Sequence, residues 1–299
     1  GHGGGLDNGI VQQWFDTWLK GENTGIQNTT TPMHLYEQGS NRWINTARYP
    51  MVADYTTYHL NATGGLTTVR PTNPVNDSIE WAQPSAETML TYATEPLPDG
   101  ATLAGPISLS VKASSSNTNL ELLAFLYDVA PDGIATEITN GVVLGSQRAL
   151  DADKTWHDTT GKLIYPYTLQ ERDDYLTPGV VYQFDIGLFP RLWSIAPGHA
   201  LQLKLMTQMP QAFCDAAYFG SEPCLLTEPQ SRTLPGGEYV IERGLVNLPL
   251  LPLGCFQAAA SGPTPTSEGV SLPLDWGNGY PASTPGPRSA EQVAGPCGP

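Results

Sequence analysis

The sequence is poor in charged residues and lacks long apolar runs. Asp, Glu, Lys and Arg together make up 14% of the 299 residues, whereas roughly 25% is typical of globular domains. This scarcity argues against long exposed helices, whose outer faces are normally charged. No segment approaches the ~18 consecutive apolar residues of a membrane-spanning helix. The sequence therefore predicts a strand-and-turn protein without a membrane partner.

Among the charged residues, Lys and Arg are scarcer than Asp and Glu. The chain has 14 Lys and Arg against 29 Asp and Glu, which gives a formal net charge of −15. A negative field of this size repels the phosphates of nucleic acids rather than gathering them. We therefore expect no nucleic-acid partner.

Cysteines are few, and none has a metal-type spacing. Cys214, Cys224, Cys255 and Cys297 form no C-x-x-C pair and have no suitably spaced histidine. An even number of cysteines in a chain rich in Thr, Ser and Pro favours disulfides and a secreted protein. Four cysteines allow three pairings, of which we predict Cys214 with Cys224 and Cys255 with Cys297. No cofactor is predicted.

Three aspartates offer the best candidate for a cation site. Asp151, Asp153 and Asp158 lie close together in the sequence, and calcium takes six to eight oxygen ligands. The spacing of an EF-hand loop is absent, so a polar turn is the simpler interpretation. The choice between a turn and a calcium site stays open here.

One segment near the N-terminus has helical periodicity. Large apolar residues recur at intervals of three and four between positions 6 and 19, as on one face of a helix. Asp7 and Asn8 are suitable N-caps, and Gly21 is a suitable C-cap. We therefore predict a short helix with an aromatic stripe that must be buried against another surface.

After this helix the apolar period changes to two. Ile107, Leu109 and Val111 alternate with polar residues, and residues 180–188 and 201–205 do the same, as in half-buried strands. The run 120–129 is almost entirely apolar, with Glu121 and Asp128 as its charged residues, which indicates a strand covered on both faces. Pro-Asp-Gly and Pro-Gly turn signals stand at 98–100, 131–133, 178–179, 197–198 and 235–237. Many short strands without intervening helices predict a two-sheet sandwich or jelly roll.

Only a fragment of a nucleophilic catalytic apparatus is visible. His2 lies in a glycine-rich run just before the predicted helix, which suits a general-base histidine on a loop; a frayed terminus or cloning scar is the alternative. There is no G-x-S-x-G nucleophile elbow. The chain begins without an initiator Met, which we interpret as processing or as part of a longer reading frame.

Several short segments stand in an order that is typical of one known family. They are residues 14–21, followed by residues 33–36, 58–60, 105–109, 128–133 and 197–203. Residues 14–21 resemble the last helix of the catalytic domain in the X-Pro dipeptidyl-peptidase and cocaine-esterase-type (CocE/NonD) α/β-hydrolase family, and the later segments resemble the C-terminal jelly roll of that family. The resemblance covers about residues 1–249.

The resemblance implies an all-β fold: a jelly-roll (galactose-binding-like) β-sandwich preceded by one helix left over from an α/β-hydrolase domain. It divides the chain into a catalytic-domain remnant (1–24), the jelly roll (25–250) and a Pro-rich extension (251–299). In the family the catalytic histidine lies just upstream of this helix, so His2 takes that role by resemblance. The partner serine and aspartate lie earlier in family chains and are absent here, so the chain alone is predicted to be inactive.

The implied parent protein is a secreted serine hydrolase that cuts peptide or acyl-ester substrates. Its catalytic domain, joined in the same chain, would be the partner that the sandwich supports and whose substrate cleft it walls. The alternative is a stand-alone secreted module that binds carbohydrate or a cell surface through aromatics such as Trp43, Trp81 and Trp193. A purely structural cell-surface domain is a third interpretation, and the substrate stays open.

Overall fold

The fold consists almost entirely of antiparallel strands. The computed structural model describes residues 8–28, 33–46, 49–81, 89–207 and 237–256. Within these ranges one α-helix, α1 (Asn8–Lys20), precedes fifteen strands. The strands are β1 (Met33–Glu37), β2 (Arg42–Thr46), β3 (Thr56–Asn61), β4 (Gly65–Thr67), β5 (Asp77–Trp81), β6 (Met89–Ala93), β7 (Ala101–Ser115), β8 (Glu121–Val129), β9 (Ala135–Leu144), β10 (Trp156–His157), β11 (Leu163–Tyr165), β12 (Val181–Ile195), β13 (Ala200–Met206), β14 (Gly237–Leu248) and β15 (Leu250–Leu251).

Eleven of the strands form one curled sheet. Nine follow the order β12-β7-β14-β3-β4-β6-β13-β8-β9, while β15 pairs with β7 and β5 with β14. The two ends of this order meet, because Thr139 of β9 donates a hydrogen bond to the carbonyl of Phe189 in β12 at 2.7 Å. At the same contact a Cβ on Gly141 would lie 2.3 Å from the carbonyl oxygen of Gly187, so only glycine fits. The curl confirms the predicted all-β, sandwich-type fold.

The core lies inside the curl and is supplied mainly by the long strands. The interpretation of residues 120–129 as a strand covered on both faces is confirmed. Leu122 and Leu126 of β8 face the main core, whereas Leu123 and Phe125 form a second cluster with Met206 on the opposite face. Each fully buried side chain of this size contributes roughly 1.5–3 kcal/mol.

The expectation that β7 is half-buried is wrong at Ser108. This serine is fully buried, although its position alternates with the core residues Ile107 and Leu109. The small hairpin β10-β11 lies over this outer face, where Ser108 donates a hydrogen bond to the carbonyl of Leu163 at 2.5 Å. Asn247 of β14 donates to the same carbonyl at 2.8 Å. The hairpin therefore adds a third layer over part of the sheet.

A second hairpin, β1-β2, is attached to β12. The backbone N–H of Gln38 donates to Leu192 at 3.0 Å, and the N–H of Ser194 donates to Gln38 at 2.8 Å. Next to the turn of the hairpin the fully buried Glu37 pairs with Arg42. No helix within the described ranges is long and apolar enough to cross a membrane.

Candidate functional site

Most of the residues predicted to carry chemistry lie outside the described part of the chain. This is true of His2 and of Cys214, Cys224 and Cys297, so the catalytic role and the two pairings stay predictions. Cys255 is described, is buried, and is not a free thiol. The site can therefore be built only from the helix and the outer surface of the sandwich.

Helix α1 is present where the periodicity predicts it. It runs from Asn8 to Lys20, and Gly21 follows with φ 73°, the left-handed conformation of a glycine C-cap. Lys20 in the last turn forms an ion pair with Asp16 at 2.5 Å. The backbone N–H of Glu22 donates to Asp16 at 3.0 Å and turns the chain away from the helix axis.

The aromatic stripe of α1 is exposed. Trp14 is 50% exposed, Phe15 47%, Trp18 59% and Leu19 75%. The rings contact each other, with centroids 5.4 Å apart for Trp14 and Phe15 and 6.5 Å apart for Trp14 and Trp18. We call these four residues the helix face. Side chains of this kind seldom stay together in water on a soluble domain, so the helix face is a candidate contact surface.

A second candidate is a groove on the outer surface of the sheet, which we call the basic groove. Its polar lining includes His59 on β3, Arg70 after β4, Lys112 on β7, Gln183 on β12 and Arg243 on β14. Gln183 pairs with Lys112, and Lys112 pairs with Arg243, across three adjacent strands. Strand pairing therefore aligns these three side chains in one row.

The electrostatics of the basic groove contrast with the acidic chain. Burial, aided by the charge of Arg70, lowers the pKa of His59 below its usual value, so the imidazole is neutral at neutral pH. Asp185, the carboxylate beside the groove, accepts hydrogen bonds from Ser110 and Gln183. Its charge is therefore held by neutral donors rather than by the groove's cations.

The candidate calcium aspartates act as turn anchors. Burial opposes ionisation of Asp158, but hydrogen bonds from Tyr55, Thr160 and Lys162 lower its pKa to about 2. Asp151 forms an ion pair with Lys154 at 3.0 Å. Within the described ranges no group of three His, Cys, Asp or Glu residues could hold a metal ion. These contacts support the polar-turn interpretation.

The candidate sugar-stacking tryptophans do not form a platform in the described surface. Trp193 packs against the main core, and its indole N–H donates to Asp128 at 2.9 Å. The second oxygen of Asp128 contacts His199 at 2.7 Å. Trp43 lies edge-on to Tyr36, with centroids 5.3 Å apart. The side chain of Trp81 lies outside the described part.

The described chain is a curled, mainly antiparallel β-sandwich that an exposed helix precedes in the sequence. Residues 24–233 match the family of the X-Pro dipeptidyl-peptidase C-terminal non-catalytic domain. Because this match covers more than half of the chain, the protein belongs to that family. The resemblance deduced from the sequence is confirmed.

Relatives among known proteins are longer hydrolases. Two proteins whose names describe candidate serine esterases, from Mycobacterium bovis and Mycobacterium tuberculosis, are each 24% identical over 247 residues, which is 72% of this chain and 37% of theirs. The chain thus spans little more than a third of their length.

Solved structures give the same picture at the level of the fold. A CocE/NonD family hydrolase from Staphylococcus aureus superposes with a TM-score of 0.60 at 14% identity, covering 81% of this chain and 45% of that one. An α-amino acid ester hydrolase superposes with a TM-score of 0.54 at 16% identity, covering 80% of this chain and 44% of that one. At these identities the likeness shows the fold alone.

Proposed function

We propose that this chain is the non-catalytic jelly-roll portion of a secreted serine hydrolase of dipeptidyl-peptidase or acyl-esterase type. It would support an α/β-hydrolase domain in the same polypeptide and wall its substrate cleft. The observation that carries the proposal is the exposed helix face, which lies directly before the region that matches the non-catalytic domain family.

The free energy available at the helix face is large. Burial of one such side chain contributes roughly 1.5–3 kcal/mol, and the four residues of the helix face are all about half exposed or more. In the described part of the chain, the principal contact of α1 is the short 3₁₀ turn Ile26–Asn28 that follows it. A catalytic domain that covered the helix face would therefore be held firmly to the sandwich.

The relatives support a catalytic domain in the same chain. This chain covers 45% of the S. aureus hydrolase and 37% of the mycobacterial proteins, which leaves room for a domain of the size that a nucleophile elbow requires. His2 would supply the imidazole of the triad, while the serine and the aspartate would come from that domain. Secretion is proposed from the cysteines, and peptide mapping without reduction would test their pairing.

The proposal is tested by disrupting the helix face in two contexts. The double substitution Trp14→Ser and Trp18→Ser is made in the chain as given and in the same chain extended by its upstream coding sequence. We expect the melting temperature to fall in the extended protein and to stay unchanged, or to rise, in the chain alone. Ile134→Ala removes an exposed apolar residue far along the sequence and is the control.

Two results would contradict the proposal. If the upstream coding sequence contained no in-frame G-x-S-x-G motif, the proposed serine hydrolase domain would be ruled out. An equal loss of stability in both contexts would show that the helix face is already buried against the sandwich.

A further inference from the structure

The basic groove gathers three cations. Among the described residues Arg70, Lys112 and Arg243 make no ion pair within 4.0 Å, and the same holds for Arg172, Arg191 and Lys204 outside the groove, whereas Lys20, Arg42, Arg148, Lys154 and Lys162 each pair with a carboxylate. In a chain with 29 acidic and 14 basic residues, three of the cations line this one groove. Their like charges favour an anion as the ligand of the groove.

The groove has a fixed shape. Arg243 donates to the carbonyls of Pro71 at 3.4 Å and Thr72 at 3.3 Å, and the N–H of Val75 donates to Glu242 at 2.7 Å. These bonds hold the loop after β4 over the sheet as one wall of the groove. A guanidinium has five donors, so Arg243 keeps donors for a ligand after it has bound the loop.

The floor of the groove is apolar. Leu60, Val75, Val111 and Leu245 line it beneath the polar residues. The cavity has a volume of about 170 Å³, which suits a small molecule rather than a folded partner. The groove thus combines charged donors at its rim with an apolar surface below them.

We propose that the basic groove binds a small organic anion, a carboxylate or phosphate group on a short apolar body. Arg70, Lys112 and Arg243 bind the anionic group through charge-assisted hydrogen bonds, which are stronger than neutral ones. His59 and Gln183 add neutral polar contacts at the same rim. The apolar body packs on the floor. This inference does not depend on the proposed hydrolase.

The negative charge of the whole chain does not prevent such binding. At physiological salt, charges separated by more than ~8 Å are largely screened, so the nearest groups determine the local potential. Asp185, a carboxylate beside the groove, accepts hydrogen bonds from the lining residues Ser110 and Gln183. The three cations in the lining give the groove a local excess of positive charge.

The test is a titration of the chain as given with four probes: hexanoate, hexyl phosphate, inorganic phosphate and 1-hexanol. We expect saturable binding of a hexyl anion, and weaker binding, by at least about tenfold, of both 1-hexanol and inorganic phosphate. Whichever hexyl anion binds more tightly identifies the preferred head group. Backbone amide shifts should concentrate at β7, β14 and the loop after β4.

Two variants locate the site. Lys112→Gln on the sheet surface and Arg70→Gln in the exposed loop should each weaken hexyl-anion binding about tenfold. Arg172→Gln removes the same charge from an exposed position outside the groove and should leave binding unchanged. Equal affinities in all three variants would overturn the proposal. So would equal binding of 1-hexanol and hexanoate, or the absence of saturable binding.

Discussion

At the scale of single residues, the acid at the start of β8 has the most unusual environment. Glu121 is 5% exposed, and burial raises the pKa of its carboxyl from 4.5 to about 8. The folded chain therefore keeps this proton at pH values where the unfolded chain has lost it. The stability that Glu121 contributes is complete below pH 4.5 and is lost as the pH rises through about 8.

We predict that Glu121→Gln removes this pH dependence. The free energy of unfolding of the wild type should decline between about pH 5 and pH 8, whereas that of the variant should decline less, because glutamine does not titrate. Denaturant unfolding at pH 5, 7 and 8.5 measures the difference, with the exposed Glu95→Gln as control. Parallel pH profiles for all three proteins would show that Glu121 does not carry the effect.

At single residues, the sequence predicted the backbone conformations that have a local cause. Gly21 ends α1 in the left-handed conformation that was predicted, and the turn glycine Gly100 has φ 65°. The basic groove was missed because Arg70, Lys112, Gln183 and Arg243 come from four separate segments. Their proximity follows from strand pairing, which no local pattern encodes.

At the scale of elements, α1 decides how the isolated chain behaves. The helix face leaves four large apolar side chains in water, and such a patch favours self-association. We predict that the chain alone binds a hydrophobic dye, and that deletion of residues 1–24 abolishes the signal. Fluorescence and sedimentation velocity measure the two properties. Unchanged dye binding and oligomeric state after the deletion would mean that the helix face is already covered.

The strands show what periodicity can and cannot predict. Alternation identified the core positions of β7, β12 and β13, and the nearly continuous apolar run identified both buried faces of β8. It did not reveal that the β10-β11 hairpin covers Ser108, because a polar residue in a period-two pattern looks solvent-facing. The apolar period of a strand predicts the polarity of each of its faces. It does not predict whether a further layer packs on one of those faces.

At the scale of the whole molecule, the order of the strands in the sheet could not be predicted from the sequence. Periodicity and turns predicted a sandwich, but the curl that brings β9 against β12 joins segments about fifty residues apart through Thr139 and Phe189. The resemblance to a known family supplied the fold that local patterns left open. The division at 24/25 and 250/251 and the role of His2 stay predictions.

We propose that this chain is a non-catalytic partner of a hydrolase domain in the same polypeptide. Without the serine and the aspartate expected from that domain, an imidazole at His2 would have no hydroxyl to deprotonate and no carboxylate to fix its tautomer. General acid-base catalysis contributes roughly 10²–10⁴-fold only when the groups are positioned. Activity should therefore depend on the catalytic domain and, through the triad, on His2.

The most direct test is turnover of a chromogenic Xaa-Pro amide and a short-chain ester by three proteins: the chain as given, the chain extended upstream, and the extended chain with His2→Ala. We predict background rates for the first, robust turnover for the second, and a loss of at least about 10³-fold for the third. Robust turnover by residues 1–299 alone, or unchanged turnover of the extended protein after His2→Ala, would contradict this proposal.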